Sequence, residues 1–221
     1  MARPKAIIFD FDGVLLESEH EGNRELARLL TELGHPHSLE DALEHYTGFS
    51  GKDFIAAVES RIGRELPAEF HERLREMSVR ALRDGIVAVA GAVEFVRSLP
   101  PGMPKAVASS SSTRWVLGHL EHIGLAGAFG THVYSGKEHV ERGKPEPDLY
   151  LHAADQLGVP IGGCVIVEDS RVGATGALAS GARVIGLAAG SHCLSGHDAM
   201  LRSLGVDEIA FSFDDLRAFL A

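Results

Sequence analysis

The chain has 221 residues, 45% of them hydrophobic and 24% charged, with a formal net charge of −10 and an isoelectric point near 5.6. That is ordinary globular composition, long enough to bury a sizeable core in one large domain or two small ones. Its 21 Lys and Arg form no long basic run, which argues against nucleic acid and an anionic membrane as partners but leaves room for a local cationic pocket. The two cysteines, Cys164 and Cys193, argue against a disulfide framework, and Cys164 opens an apolar run as a buried thiol would. The apolar run near the N-terminus is too brief for a signal peptide and no stretch approaches a membrane span, so a cytoplasmic monomer is expected.

Short strand-like runs alternate with helical patterns along the chain, the signature of a parallel sheet built from βαβ units. Strands are predicted over residues 5–9, 105–108, 132–134, 165–167 and 183–187. Between them lie apolar stripes at helical spacing, such as Val116, Leu117, Leu120 and Ile123, or Leu149, Ala153 and Leu157. Gly124, Gly158 and Gly181 follow three of these helices as C-terminal stops. From residue 16 to residue 86 the alternation fails. Leu26, Leu29, Leu30 and Leu33 form one helical stripe there, Phe54, Ile55, Val58 and Ile62 a second, and Phe70, Leu74, Met77 and Ala81 a third. An all-helical insertion must bury those faces against itself. The expected fold is therefore α/β: a Rossmann-like doubly wound parallel sheet over 1–15 and 87–221, with a helical cap inserted at 16–86.

Asp10 and Asp12 follow the run AIIF, and Glu168 and Asp169 follow CVIV, so both pairs stand at the carboxyl ends of strands, where open α/β sheets bind ligands. Acidic residues often end strands simply to turn the chain, and either pair alone fits that reading. Two pairs converging on one rim would repel one another unless a cation lay between them, and hard oxygen ligands favour Mg²⁺. The strand KAVA ends in Ser109, which brings a hydroxyl and backbone N–H groups to the same rim; Ser110 is a candidate substrate contact there, although Ser110 to Ser112 read better as a loop capping the next helix. Lys144, in GKPEPD, precedes a helix marked by proline; a solvated loop lysine is the alternative. Gly173 and Gly176 are expected to allow close helix packing beside the site. The paired histidines His35/His37 and His119/His122 lack a Cys or carboxylate to complete a zinc set and are expected on the surface.

The segments DFDGVLLESE from Asp10, VASSS with Ser109, GKPEPD with Lys144 and VEDSRVGATGALASG with Glu168 and Asp169 together resemble the four ordered motifs of the haloacid dehalogenase superfamily. The branch they resemble is that of the β-phosphoglucomutase-like proteins and sugar phosphatases, and the likeness spans essentially the whole chain. It implies that Asp10 attacks phosphorus to form an aspartyl-phosphate and that Asp12 serves as general acid and then base. It further implies that Mg²⁺ is held by an Asp10 oxygen, the Asp12 carbonyl and Asp169, with Glu168 acting through water or behind the ligands. Ser109 would bond a phosphate oxygen, and Lys144 would offset the charge of nucleophile and phosphate. TGFSGKDF, from Thr47 to Phe54, resembles the family's substrate-specificity loop, which would turn Gly48, Ser50 and Lys52 toward the site; Lys52 reads equally as a solvated residue at a helix start.

Asp12 points to oxygen leaving groups, since relatives that cleave carbon–halogen or carbon–phosphorus bonds lack an aspartate there. The resemblance thus implies a Mg²⁺-dependent phosphatase of small phosphorylated metabolites. A phosphosugar mutase and a non-catalytic phosphometabolite-binding protein are the alternatives. In mutases of the branch a histidine lies twelve residues after the nucleophile and an arginine follows the cap-loop serine. Here those places hold Gly22 and Gly51.

Overall fold

The computed structural model describes residues 3–49 and 51–220. Strand β1 (Ala6–Phe9) is followed by four helices, α1 (Ser18–Glu32), α2 (Leu39–Tyr46), α3 (Gly51–Ile62) and α4 (Ala68–Asp84). Then come α5 (Ala92–Ser98), β2 (Lys105–Ser109), α6 (Thr113–His122), β3 (Val133–Ser135) and α7 (Asp148–Gln156). The chain ends with β4 (Cys164–Glu168), α8 (Arg171–Ala179), β5 (Arg183–Leu187), α9 (His197–Ser203), β6 (Glu208–Ala210) and α10 (Phe213–Leu220). The six strands form one sheet in the order β3-β2-β1-β4-β5-β6, and every neighbouring pair is parallel.

Alternation along each strand loads both faces of this sheet. Ile7 and Phe9 join Val107, Val165 and Val167 in a cluster completed by Phe95, Val116, Leu120 and Phe213 of α5, α6 and α10. Ala6 and Ile8 face the other way, with Ala108, Ile166 and the apolar faces of α7, α8 and α9. Helices α1 to α4 share a third cluster, in which Leu26, Leu30, Ala42, Val58 and Phe70 are buried. The connections into and out of this helical layer run side by side. Leu16 bridges antiparallel to Ala88, and Val89 N donates to Leu15 O at 3.1 Å.

Two elements differ from the sequence expectation. Helix α2 is not among the predicted stripes, although its short apolar face of Leu39, Ala42, Leu43 and Tyr46 keeps helical spacing. A reciprocal capping box marks its start: Ser38 Oγ accepts from Asp41 N at 3.0 Å while Asp41 Oδ2 accepts from Ser38 N at 3.1 Å. Strand β6 is only three residues long and begins with a glutamate, which a two-residue periodicity cannot register. It is fixed from outside its own segment, because Glu208 accepts twice from Arg183 of β5 at 2.7 Å. His119, expected on the surface, is fully buried, its ring edge-on to Trp115 with centroids 4.3 Å apart. No helix among the described residues is long and apolar enough to cross a membrane.

Candidate active site

The strand order reverses about β1, whose register pairs Phe9 with Val107 of β2 on one side and Val167 of β4 on the other. Asp10 leaves β1 at that switch point, and its N–H donates to Val167 O at 3.0 Å. Lys144 reaches in from the loop before α7 and donates to Asp10 Oδ1 at 2.5 Å and to Glu168 Oε1 at 2.6 Å. All three side chains are nearly or wholly out of solvent. Burial alone would weaken the Lys144 ammonium, but the two carboxylates outweigh it and hold the group firmly protonated. Burial also pushes the Asp10 carboxyl well up; Lys144 opposes the shift, and Glu168 and Asp169 add to it.

Glu168 is committed to its protein partners. Oε1 accepts from Lys144 and from Tyr150 OH at 2.6 Å, and Oε2 accepts from Asp169 N, Ser170 N and Ser170 Oγ at 3.0–3.1 Å. Helix α8 crosses so close that a Cβ on Gly173 would lie 1.8 Å from Glu168 Oε1, and one on Gly176 would lie 2.9 Å from two carbonyl oxygens. The close packing expected of these glycines is thus against the site itself.

Asp169 differs from its neighbour. Both carboxylate oxygens are buried without a hydrogen-bond donor among the described residues, although His192 Nε2 lies 2.7 Å from Oδ2. Burial raises its pKa well above the usual carboxylate range, and Glu168 adds to the effect. One ligand oxygen each from Asp10, Glu168 and Asp169 falls within a 4.8 Å cluster. Orphaned oxygens beside a second carboxylate suit a hard dication, which would satisfy what the protein leaves unsatisfied. Gly13 makes room for this arrangement: its φ is +83°, and a Cβ there would sit 2.1 Å from Asp169 Oδ2.

Asp12 is held by side chains from three segments. Oδ1 accepts from Ser18 Oγ at 2.7 Å and Trp115 Nε1 at 2.9 Å; Oδ2 accepts from Ser111 Oγ at 2.7 Å and Ser109 Oγ at 3.3 Å. With its carboxylate so engaged, Asp12 has only its backbone carbonyl left to offer a cation. Above it, a cavity of about 610 Å³ opens between the sheet rim and the helical layer. Its floor holds Asp10, Asp12, Lys144 and Ser110, while Leu26, Phe49, Phe54 and Met77 form much of its roof. Glu19 also lines it, and burial raises that carboxyl to about 8, with His192 opposing and the nearby aspartates adding.

A family model of haloacid dehalogenase-like hydrolases matches residues 4–181. The chain belongs to that family. This haloacid dehalogenase-like hydrolase is 33% identical over 189 residues to hexitol phosphatase A of Escherichia coli (strain K12), covering 83% of this chain and 82% of that one. It superposes on a conserved haloacid dehalogenase-like protein of Agrobacterium tumefaciens with a TM-score of 0.86 at 35% identity, over 98% of this chain and 97% of that one. A family hydrolase from Deinococcus radiodurans, solved with bound phosphate and sodium, gives 0.81 at 34% identity, over 100% and 96%. The chain is a phosphoric monoester hydrolase of the haloacid dehalogenase-like type.

In this hydrolase Asp10, Asp12, Lys144, Glu168 and Asp169 come together from three separate segments at one rim. Ser109 lies wholly below the surface as the last residue of β2, its hydroxyl spent on Asp12 and Ser111 N, so of this serine run Ser110 and Ser111 reach the cavity wall. Gly48 also lines the cavity; with φ at +82°, it packs where a Cβ would stand 2.9 Å from Ser170 Cβ. Lys52 is a correction. Helix α3 begins at Gly51, so Lys52 falls in its first turn, exposed and outside the cavity lining. The cation at that edge is Lys137, whose Cε lies 3.8 Å from the Cβ position of Gly51. Ser50 lies outside the described residues.

Sequence reasoning missed Ser18, Ser111, Trp115, Tyr150 and His192. Trp115 left one signal, being the lone tryptophan of the chain and lying just beyond the rim serines, where a donor-tipped ring finds an acceptor. Tyr150 left none, since it reads as one more residue of an apolar helix face.

Proposed function

We propose that this enzyme hydrolyses phosphomonoesters of small polyhydroxy metabolites, such as sugar or sugar-alcohol phosphates, through an aspartyl-phosphate on Asp10. The observation that carries this reading is the pairing of two unlike carboxylates at the cavity floor. Asp10 is tied to an ammonium at 2.5 Å, while Asp12 is ringed by hydrogen-bond donors. The name of hexitol phosphatase A and the phosphate bound by the Deinococcus hydrolase support the substrate class.

Asp10 attacks phosphorus as the ester P–O bond breaks, and the leaving alkoxide takes the proton of Asp12. Water then surrenders a proton to Asp12, attacks the phospho-aspartate, and releases phosphate and free Asp10. Lys144 lowers the repulsion between carboxylate and phosphate, and Glu168 with Tyr150 fixes where its ammonium stands. Mg²⁺ held by Asp10, Asp169 and the Asp12 carbonyl would supply further charge neutralisation and orientation. The helical layer serves as a cap over the leaving group, with residues 16–86 as the cap and 1–15 and 87–221 as the catalytic core. Gly22 lines the cavity, and a Cβ there would meet nothing within 4 Å, so that position carries no side chain that could bar water from Asp10. Hydrolysis is therefore favoured over isomerisation.

The test is a panel of phosphorylated polyols, sugars and sugar acids with Mg²⁺, following free phosphate, together with β-glucose 1-phosphate with and without a bisphosphate activator. Phosphate release is expected from at least one polyol or sugar phosphate. Conversion of β-glucose 1-phosphate to glucose 6-phosphate faster than phosphate appears would replace the hydrolase with a mutase.

Trp115 can only donate, whereas the hydroxyls of Ser109 and Ser111 can turn and accept. The proton that Asp12 carries in this mechanism therefore belongs on Oδ2. Trp115→Phe removes a hydrogen bond to the carboxylate that forms as Asp12 gives up its proton, an interaction with a charged group worth about 1.5–3 kcal/mol, so kcat on an alkyl phosphate should fall roughly 10- to 100-fold. Turnover of 4-nitrophenyl phosphate, whose leaving group needs no proton, should change little. Equal losses on both esters would make Trp115 a packing residue.

A further inference from the structure

The loop between β5 and α9 takes no part in the reaction above, yet three metal-ligating side chains meet at its end. His192, Cys193 and His197 each offer a ligand atom, and these atoms lie within 4.8 Å of one another. Asp169 orients the ring of His197. The Asp169 carbonyl lies 2.7 Å from His197 Nε2, so that nitrogen carries the proton and donates, leaving Nδ1 with an open lone pair. A backbone carbonyl behind a histidine in this way is the usual support of a ligating imidazole. His192 turns Nε2 toward Asp169 Oδ2 at 2.7 Å, and its Nδ1 is buried with no hydrogen-bond partner among the described residues. Leaving such a nitrogen unsatisfied costs about 1–3 kcal/mol unless something else binds there. Cys193 Sγ lies 3.4 Å from His192 Nε2, the ring nitrogen that also stands beside Asp169. The loop is also braced, because Ser191 N and Oγ both donate to Glu17 Oε2, at 3.0 and 2.6 Å.

We propose that His192, Cys193 and His197 form a binding site for a borderline-soft dication of the Zn²⁺ class, separate from the carboxylate site of Asp10 and Asp169. Two imidazoles and a thiolate select zinc over magnesium, and three protein ligands leave a fourth tetrahedral position for water. Cys193 binds as thiolate and gives its proton to solvent.

Zn²⁺ is titrated into the full chain by calorimetry in a large excess of Mg²⁺, which occupies the carboxylates. Co²⁺ is then used as a spectroscopic stand-in. One Zn²⁺ per chain is expected to bind despite the Mg²⁺, and Co²⁺ should give a thiolate charge-transfer band in the near ultraviolet. Cys193→Ser should remove that band, and His197→Gln should weaken Zn²⁺ binding at least about tenfold. The melting temperature of each metal-free variant reports whether it is folded. Absence of the cobalt band in the unaltered chain would overturn the proposal without any variant, as would unchanged zinc affinity in two folded variants.

Discussion

Asp10→Asn should leave a folded protein that releases phosphate at least about 10⁴-fold more slowly than the unaltered chain. An amide oxygen is too weak a nucleophile to form the phosphoenzyme, and the neighbouring carboxylates have other work, Asp169 as the proposed metal ligand. Asp12 is held by Ser18, Trp115 and the rim serines, and Glu168 is occupied by Lys144, Tyr150 and its own following amides. The same substitution should not lower stability. Asp10 shares a buried cluster with two other carboxylates, and burial and those neighbours raise its folded-state pKa against the pull of Lys144. For an acid, a raised folded-state pKa destabilises the fold at pH values above the unfolded pKa and has no effect well below it. The metal-free variant should therefore melt at the same or a higher temperature at neutral pH, with no advantage in acid. Lys144 keeps Glu168 as a partner in either case. Thermal melts beside phosphate-release assays decide the matter: a tenth of normal activity in a homogeneous preparation would remove Asp10 from the nucleophile's role. A much lower melting temperature would make it a structural residue.

The second large effect concerns divalent metal. Excess chelator should reduce turnover to background, and Mg²⁺ should restore it. Mg²⁺ should also raise the melting temperature, because it satisfies the Asp169 oxygens that the protein leaves bare. At a hundredfold excess over its dissociation constant the gain is about 2.7 kcal/mol. In a chain of this length that is roughly 5–11 °C. Asp169→Ala should lose both the activity and the thermal shift. Ca²⁺ should inhibit, since it prefers more oxygen ligands at longer range and can hold Asp10 through both oxygens. Full activity in chelator would contradict the metal assignment, and a thermal shift retained by Asp169→Ala would put the ion elsewhere.

What the sequence made legible here follows the range of the interactions involved. AIIF, the AVAS of β2 and the CVIV of β4 are strands because their residues are apolar or small enough to be buried on two faces, and such runs announce themselves locally. The acidic residues at their ends were readable for the same reason, since strand end and sheet rim coincide. Helix α2 gives a weaker signal because its stripe of Leu39, Ala42, Leu43 and Tyr46 spans only eight residues. Strand β6 was hidden because an ion pair to β5 and a seat at the sheet edge hold it, not its own composition. Within the site, Trp115 and Tyr150 contact acids that are 103 and 18 residues away in sequence, and neither residue type is diagnostic of that role. Lys52, which the loop resemblance offers as a substrate contact and which reads equally as a solvated residue, lies in the first turn of α3 outside the cavity lining, while Lys137 lines the cavity beside Gly51.

The separate apolar cluster of the helical layer bears on how such an enzyme changes by descent. Phe54 and Met77, which line the roof, pack against Leu26 and Phe70 and not against the sheet, whereas the strand registers set the separation of Asp10 from Asp169. Heritable substitutions in the roof therefore alter which molecule fits without disturbing the atoms that cut it. Duplicated copies of such a gene will drift apart in what they accept sooner than in what they do to it.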